Sequence, residues 1–341
     1  MTPWHLVTAT SSERFDAFMA RALYDAKRGY YTRHIRGVGA RGDFATSATL
    51  SPMFAKAVAG WLKEEARQQP KVRQVIEVGA GNGSLLAGVR QSLGWWQRQR
   101  FKVHIVETSP VLRELQREKL GDKVRWHDTM ADALKAAEGV AFIYHNEVVD
   151  AFPVRVLQWQ DETWQEVWVS IDAEGRVREE LRPAEDMEAL RGNFSALGLW
   201  TLPLRTGQRV ELHQTVRDWL QEWAPLWKEG AMLAVDYGDE FPAVYHRRPR
   251  GTLRAYLLQQ RLEGLDVYEN VGRQDLTADV NFTDYRSWGG ECGWTEAAHG
   301  SQAEFLAKHV TGSENRADDF IKDELGAGGA FKYVIHYPRW G

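Results

Sequence analysis

Between residues 72 and 92 an apolar run, three closely spaced glycines and a helical stretch follow one another without a break. Val72–Val78 has the length and branched composition of a buried strand. Ser84–Ser92 reads as a helix. The junction is Glu77-Val-Gly79-Ala-Gly81-Asn-Gly83. Glycines there let the backbone turn sharply and approach a ligand closely, and the helix start presents unpaired N–H groups to it.

The pattern continues on both sides. Phe101–Glu107, Val124–His127 and Val140–His145 read as further strands, and Ser109-Pro110 opens a helix between the first two. Alternation of this kind predicts an α/β fold with a Rossmann-like, mostly parallel sheet. The alternation pauses after Ala151, where Val154–Gln160 and Thr163–Ile171 form a hairpin and Ala184–Leu197 a helix. It resumes with a helix over about 207–222 and a strand at Ala231–Asp236. Residues 239–290 are irregular. Helices near Gln302–Lys308 and 313–325 and a strand at Phe331–Tyr337 follow. Ahead of the core, residues 10–27 read as an amphipathic helix with a capping box at Thr10 and Glu13, followed by a glycine-rich loop at 36–43. Ser51-Pro52 opens a second helix. The domains expected are an N-terminal helical section at 1–69, a core of 70–150, 206–238 and 291–341, and insertions at 151–205 and 239–290 that cap the substrate side.

The glycine spacing separates two nucleotide ligands. A dinucleotide site needs G-x-G-x-x-G, whereas position 84 here is Ser. Glu77 before the loop would repel a pyrophosphate but attract the ammonium and sulfonium of S-adenosyl-L-methionine. Cofactor candidates are therefore Glu77, Gly79, Ala80, Gly81 and Gly83, with Glu107 and Thr108 at the second strand end, where an acid can accept the ribose hydroxyls. Asp128 and Thr129 at the third strand end are placed to meet the adenine, and Asn146 ends the fourth strand. Beyond it, Glu147 and Asp150 leave the same strand exit and suit a cationic acceptor. Asp236 and Tyr237 end the fifth strand, either closing the acceptor pocket or turning the chain.

Composition narrows the partners. The net charge of −4 and pI of about 6.2 argue against a nucleic-acid footprint. No apolar run reaches the roughly 18 residues that span a bilayer, so neither nucleic acid nor membrane is expected as a partner. Met1–Thr10 lacks the pattern of a signal peptide. The single cysteine, Cys292, has no disulfide or metal-ligand companions, and no metal site is expected. The fifteen tryptophans, several between Trp159 and Trp227, are read as core packing.

Several stretches make the chain resemble the MidA family, which includes the mitochondrial complex I assembly arginine methyltransferase and its bacterial relatives. They are Gly42-Asp-Phe-Ala-Thr-Ser47, Val75-Ile-Glu-Val-Gly-Ala-Gly-Asn-Gly83, Asn146-Glu-Val-Val-Asp-Ala-Phe-Pro-Val-Arg155, Gly251-Thr-Leu-Arg-Ala-Tyr256 and Gln274-Asp-Leu-Thr-Ala278. The chain departs from the family at Ala80 and Asn82 in the glycine loop, at Ala48-Thr49, and at Asp279, where the family tends to have histidine. The resemblance implies a class I methyltransferase fold with its last strand antiparallel, bound S-adenosyl-L-methionine, and a protein arginine as acceptor. On the same basis Asp43, Thr46, Gln274 and Asp275 join the substrate side, and Glu147 and Asp150 become the catalytic pair, Glu147 orienting the guanidinium and Asp150 assisting or anchoring it. A small-molecule acceptor under a lid and a non-catalytic cofactor-binding assembly factor are the alternatives. A homodimer stays open as an assembly. The expected compartment is the bacterial cytoplasm, or the mitochondrial matrix in a eukaryotic source.

Overall fold

The computed structural model describes residues 12–35, 51–172, 176–198, 200, 203–257, 260–312 and 315–339. The described chain opens with β1 (Glu13–Arg14), α1 (Phe15–Tyr24) and α2 (Pro52–Gln68). Then come β2 (Gln74–Val78), α3 (Ser84–Ser92), α4 (Trp95–Arg100), β3 (Lys102–Val106), α5 (Pro110–Leu120), β4 (Val124–His127), α6 (Met130–Ala136) and β5 (Phe142–Asn146). A second stretch holds β6 (Arg155–Gln160), β7 (Thr163–Ile171), β8 (Val177–Pro183), α7 (Met187–Asn193), β9 (Arg209–Leu212), α8 (Gln214–Trp223) and β10 (Met232–Asp239). The chain continues through β11 (Arg254–Leu257), β12 (Gln260–Glu263), β13 (Asp275–Thr277), β14 (Val280–Asn281) and α9 (Phe282–Glu291). It ends with β15 (Thr295–Ser301), α10 (Gln302–His309), α11 (Arg316–Lys322) and β16 (Phe331–Tyr337).

The central sheet has the order β15-β16-β10-β5-β2-β3-β4, with β14 beside the end of β10. β4, β3, β2, β5 and β10 run parallel, and β16 lies antiparallel to β10 with Leu233 opposite Ile335. This is the mostly parallel sheet with an antiparallel last strand expected of a class I methyltransferase. Both faces are covered, as buried parallel strands require. Ile76, Ile143, Ala234 and Val334 pack towards α6, α8 and α9. Val75, Phe142, Leu233 and Ile335 pack towards α2, α3 and α10.

Two smaller sheets stand beside this core. One is antiparallel, in the order β1-β7-β6-β9 with β8 on β7; the other has the order β12-β11-β13. Several boundaries differ from the sequence reading. α1 starts at Phe15 because Glu13 and Arg14 pair with Val169 and Trp168. It stops at Asp25, whose carboxylate accepts the Lys27 and Arg28 N–H groups and turns the chain. Thr10 and the 36–43 loop lie outside the described residues. Residues 209–212 are not helical: they form β9, paired with β6 so that Arg155 faces Leu212, and the helix begins only at Gln214. β15 and α9 were not foreseen. β15 carries little apolar signal because it is an edge strand whose burial alternates.

Candidate active site

A cavity of about 870 Å³ opens at the carboxyl ends of β2 to β5, where ligands sit in open α/β sheets. Its size lies in the range of pre-formed small-molecule sites, roughly 300–1,000 Å³. Gly79, Gly81 and Gly83 all take positive φ, at 63°, 52° and 76°. Gly79 must also stay small: a Cβ there would lie 2.7 Å from Val148 Cγ2. The loop thus turns over the strand end and starts α3 with its N–H groups facing the cavity side.

Four acids at or just beyond the strand ends line this cavity. Glu77 lies on the wall, buried, and accepts one hydrogen bond from the Tyr144 hydroxyl at 3.2 Å. Burial pushes its carboxyl up to about 8, against the lowering pull of Tyr144. Glu107 is also buried. Its oxygens accept from Ser109 N at 2.9 Å and Gln116 Nε2 at 3.1 Å, and burial raises its carboxyl in spite of them. Asp128 lies at the rim, with a side chain 78% exposed and paired to Arg113 at 2.6 Å. Thr108 and Thr129 line the cavity, and Thr129 caps α6. Glu147, the fourth acid, lines the wall with φ at 55°, a left-handed conformation rare for a residue other than glycine.

The turn bearing Glu147 is held from behind. Asp236, fully buried, accepts from Val148 N at 3.1 Å and Val149 N at 3.0 Å through one oxygen, and from Tyr237 N at 2.9 Å through the other. Asn146 donates to Glu147 Oε1 at 2.9 Å. Its own Oδ1 is buried and meets no hydrogen-bond partner among the described residues. An acceptor left open beside two cavity acids, over a glycine cradle that a Cβ would fill, fits a ligand carrying an ammonium and a ribose.

Not every predicted residue reaches the cavity. Asp150 is buried behind the wall and does not line it. Burial raises its carboxyl to about 7; Arg254 opposes this and Asp279 adds to it. Asp236 likewise turns the chain and does not border the cavity; burial, Asp150 and Glu147 hold its carboxyl well above the usual range. Tyr237 packs on Phe331 with ring centroids 3.9 Å apart. Gln274 donates to the Val267 carbonyl, and Asp275 accepts the Tyr31 hydroxyl at 2.8 Å. Tyr31 does line the cavity, so Asp275 stands one side chain away. Asp43 and Thr46 lie outside the described residues.

Other wall residues were not singled out from sequence. Tyr24 donates to the Ala151 carbonyl at 2.9 Å and stacks on Tyr31. Ser109 Oγ donates to the Tyr31 carbonyl, which ties the N-terminal segment to the Glu107 strand end. Phe152, Trp219 and Trp223 form an aromatic wall, so two of the tryptophans read as core also border the cavity. Arg254, buried over the Tyr237 ring, pairs with Asp279, which also pairs with Arg248. The departure from the family's histidine at 279 is therefore matched by two arginines.

The comparisons with known proteins agree with this geometry. A family model described as S-adenosyl-L-methionine-dependent methyltransferase matches residues 53–299. A crystal structure from Burkholderia thailandensis, bound to S-adenosyl-homocysteine, superposes with a TM-score of 0.82 at 29% identity, covering 96% of this chain and 88% of that one. The mitochondrial protein arginine methyltransferase NDUFAF7 of Danio rerio is 28% identical over 84% of this chain and 70% of its own length. Its Drosophila melanogaster homologue is 28% identical over 78% of this chain. The match spans 64% of the fly protein, just under two thirds of its length. The chain belongs to the MidA-like family of S-adenosyl-L-methionine-dependent methyltransferases, and its cofactor is S-adenosyl-L-methionine.

Proposed function

We propose that this methyltransferase acts on a guanidinium nitrogen of a protein arginine, and that Glu147 is the residue meeting it. The observation that carries this reading is a surplus of carboxylates behind one turn. Glu147 is in the wall, with Asp150, Asp236 and Asp279 behind or beside it, against one buried guanidinium, Arg254, and the half-exposed Arg248. Buried carboxyls raised in this way ionise more readily when a cation sits beside them, so the cluster favours a cationic guest. The names of the relatives point the same way, since those proteins are protein arginine methyltransferases.

S-adenosyl-L-methionine supplies, when bound, a methyl group activated on a sulfonium. Glu77, the glycine loop, Glu107, Thr108 and Asn146 hold that donor, with Asp128 and Thr129 at the adenine rim. Arginine stays protonated up to a pKa above about 12, so its nitrogen is a poor nucleophile. The Glu147 carboxylate orients the guanidinium plane by charge-assisted hydrogen bonds and takes the proton the nitrogen loses. Asp150, off the wall, acts on Asp236 and Arg254 through charge and does not touch the acceptor. Asp236 holds the left-handed turn that aims Glu147. The segments after Asp150 and after Asp236, with the N-terminal helices, cap the acceptor side. A reducing compartment, bacterial cytoplasm or mitochondrial matrix, suits the lone Cys292.

The test is methylation of a cell lysate with isotope-labelled cofactor, followed by mass spectrometry. Methylarginine in a protein is the expected product. Label only in a neutral metabolite would overturn the arginine reading in favour of a small-molecule acceptor, which the aromatic wall of Phe152, Trp219 and Trp223 also suits. No label in any species would leave cofactor binding without transfer and sink the catalytic reading itself.

A further inference from the structure

The edge formed by the amino ends of the central strands, opposite the cavity, has a different chemistry. From residue 66 to residue 106 the chain carries seven basic side chains, at Arg67, Lys71, Arg73, Arg90, Arg98, Arg100 and Lys102. Its one acid there is Glu77, which is buried on the cavity side. In a chain of net charge −4 this is a local inversion of sign.

The short helix α4 stands on this edge, before β3, and its two tryptophans project outward. Trp95 is 60% and Trp96 80% exposed, their rings edge-to-face with centroids 4.5 Å apart. The helix that presents them is anchored. Leu93 and Phe101 on either side are buried, and Arg100 donates to the carbonyls of Ala66, Pro70 and Val72. Beside them lies a cavity of about 280 Å³ lined by Arg90, Trp95, Arg98, Gln99, Phe101, Val103 and Lys123. Among the described residues no carboxylate forms an ion pair with Arg90, Arg98 or Lys123; the acid adjoining them in the chain is the exposed Asp122.

Folding alone gains nothing from two adjacent exposed tryptophans, and a cavity walled by three cations suits an anion such as a phosphate. Tryptophan is the side chain that settles at the headgroup level of a bilayer. Basic residues near an anionic leaflet each add attraction, about fivefold in affinity. We propose that this edge is a docking face for an anionic phospholipid surface, with Trp95 and Trp96 at headgroup depth and Arg90, Arg98 and Lys123 receiving lipid phosphates. Projecting tryptophans favour a bilayer over an acidic protein segment, because a protein partner's anchors fill grooves and these stand proud. No described helix is long and apolar enough to cross a membrane, so the docking is peripheral. It leaves the methyl-transfer cavity facing away from the lipid, open to its acceptor.

The test is co-sedimentation of the full chain with vesicles of phosphatidylcholine alone or mixed with phosphatidylglycerol, at low and physiological salt. Binding to the anionic vesicles only, weakened by salt, is expected. W95A/W96A should weaken it about tenfold or more, and R90Q/R98Q/K123Q on the order of a hundredfold. Unchanged affinity of both variants for S-adenosyl-homocysteine would establish that they are folded. Absence of binding to anionic vesicles at low salt overturns the proposal. So does equal binding by wild type and the folded variants. Capture of a polyglutamate peptide more tightly than of anionic vesicles, with the same sensitivity to the variants, also overturns it, in favour of an acidic protein partner.

Discussion

The two halves of the methyl-transfer cavity are built in different ways. On the donor side the functional side chains lie at strand ends and, apart from Glu77, which accepts from Tyr144 67 residues on, the acids there are secured by near neighbours. Glu107 accepts from Ser109 and Gln116, two and nine residues on, and Asp128 pairs with Arg113, fifteen residues back. On the acceptor side the partners are remote. Val148 is held by Asp236 across 88 residues, and Tyr31 reaches Asp275 across 244. The donor side also stands largely on backbone geometry, with three positive-φ glycines. The acceptor side stands on charge, with buried acids outnumbering the arginines that face them. A substitution on the donor side should therefore act where it is made, while one on the acceptor side should spread through its partners.

The largest separation of the halves is expected from Glu147→Gln. Losing a charge-assisted contact to a guanidinium costs about tenfold to a hundredfold. Losing a proton acceptor adds a factor of about a hundred or more. Turnover should fall by roughly a thousandfold or more, while calorimetry shows cofactor affinity within about fivefold of wild type. Equal losses in both would place Glu147 with the donor and dissolve the distinction. Asp236→Asn comes next. An amide replaces one acceptor oxygen by a donor, leaving Val148 and Val149 N–H or Tyr237 N–H unsatisfied, at a cost of about 1–3 kcal/mol. With the Glu147 turn loosened, kcat should drop by about tenfold to a hundredfold, more than cofactor affinity does, and urea midpoints should fall. Asp236→Glu, which restores both acceptor oxygens, should recover part of kcat if the role is positioning.

The same contrast explains what could be read in the sequence. The glycine loop, the strand ends and the parallel order are local patterns, so Glu77, Glu107, Thr108 and Asn146 could be placed on the cavity from residue spacing alone. The acceptor side is a tertiary product. Nothing near Asp150 says that it faces Arg254 and not the cavity, because Arg254 arrives on a strand of another sheet. The Asp236-Tyr237 pair was open to two readings, and only the hydrogen bonds to Val148 and Val149 decide for the turn. Asp279 stood out as a departure from its family, and its meaning lies in Arg248 and Arg254, 31 and 25 residues away. β9 was hidden for a related reason: Arg209-Val-Glu-Leu continues smoothly into a true helix, and only pairing with β6 shows that it is extended.

On the donor side, pH offers a sharper probe than truncation. Burial raises the Glu77 carboxyl from an unfolded value near 4.5 to about 8. The protonated form is the one that folding favours. Its contribution to stability is thus fully present below about pH 4.5 and lost as pH rises through about 8. Binding of the cationic donor should pull the proton off. Cofactor affinity should therefore rise by some tens of times between pH 6 and pH 8, with proton release visible as a dependence of the binding heat on buffer. Glu77→Gln should flatten that profile; a profile unchanged in the variant would assign the titration elsewhere. Glu107→Ala should weaken cofactor binding about tenfold at any pH in this range, one charge-assisted hydrogen bond being worth about 1.5–3 kcal/mol. Its kcat at saturating cofactor should stay near wild type.

The smallest effect is expected at Asp128, and it tests how far the donor side really is local. The residue sits at the end of β4, where an adenine amino group would pass, which is why its position suggested a contact. Its side chain is 78% exposed, and among the described residues its one hydrogen bond is accepted from Arg113. A carboxylate that water can reach from most directions adds little discrimination to a ligand contact, because water competes for the same lone pairs. Arg113 does not depend on it either: its guanidinium also donates to the carbonyls of Glu107 and His127, and so stays in place when the acid is gone. Asp128→Ala should accordingly shift cofactor affinity by less than about threefold and leave kcat unchanged. A loss of tenfold or more would mean that the rim closes over the adenine when the donor binds and buries Asp128 with it. The donor side would then share the dependence on distant movements that marks the acceptor side.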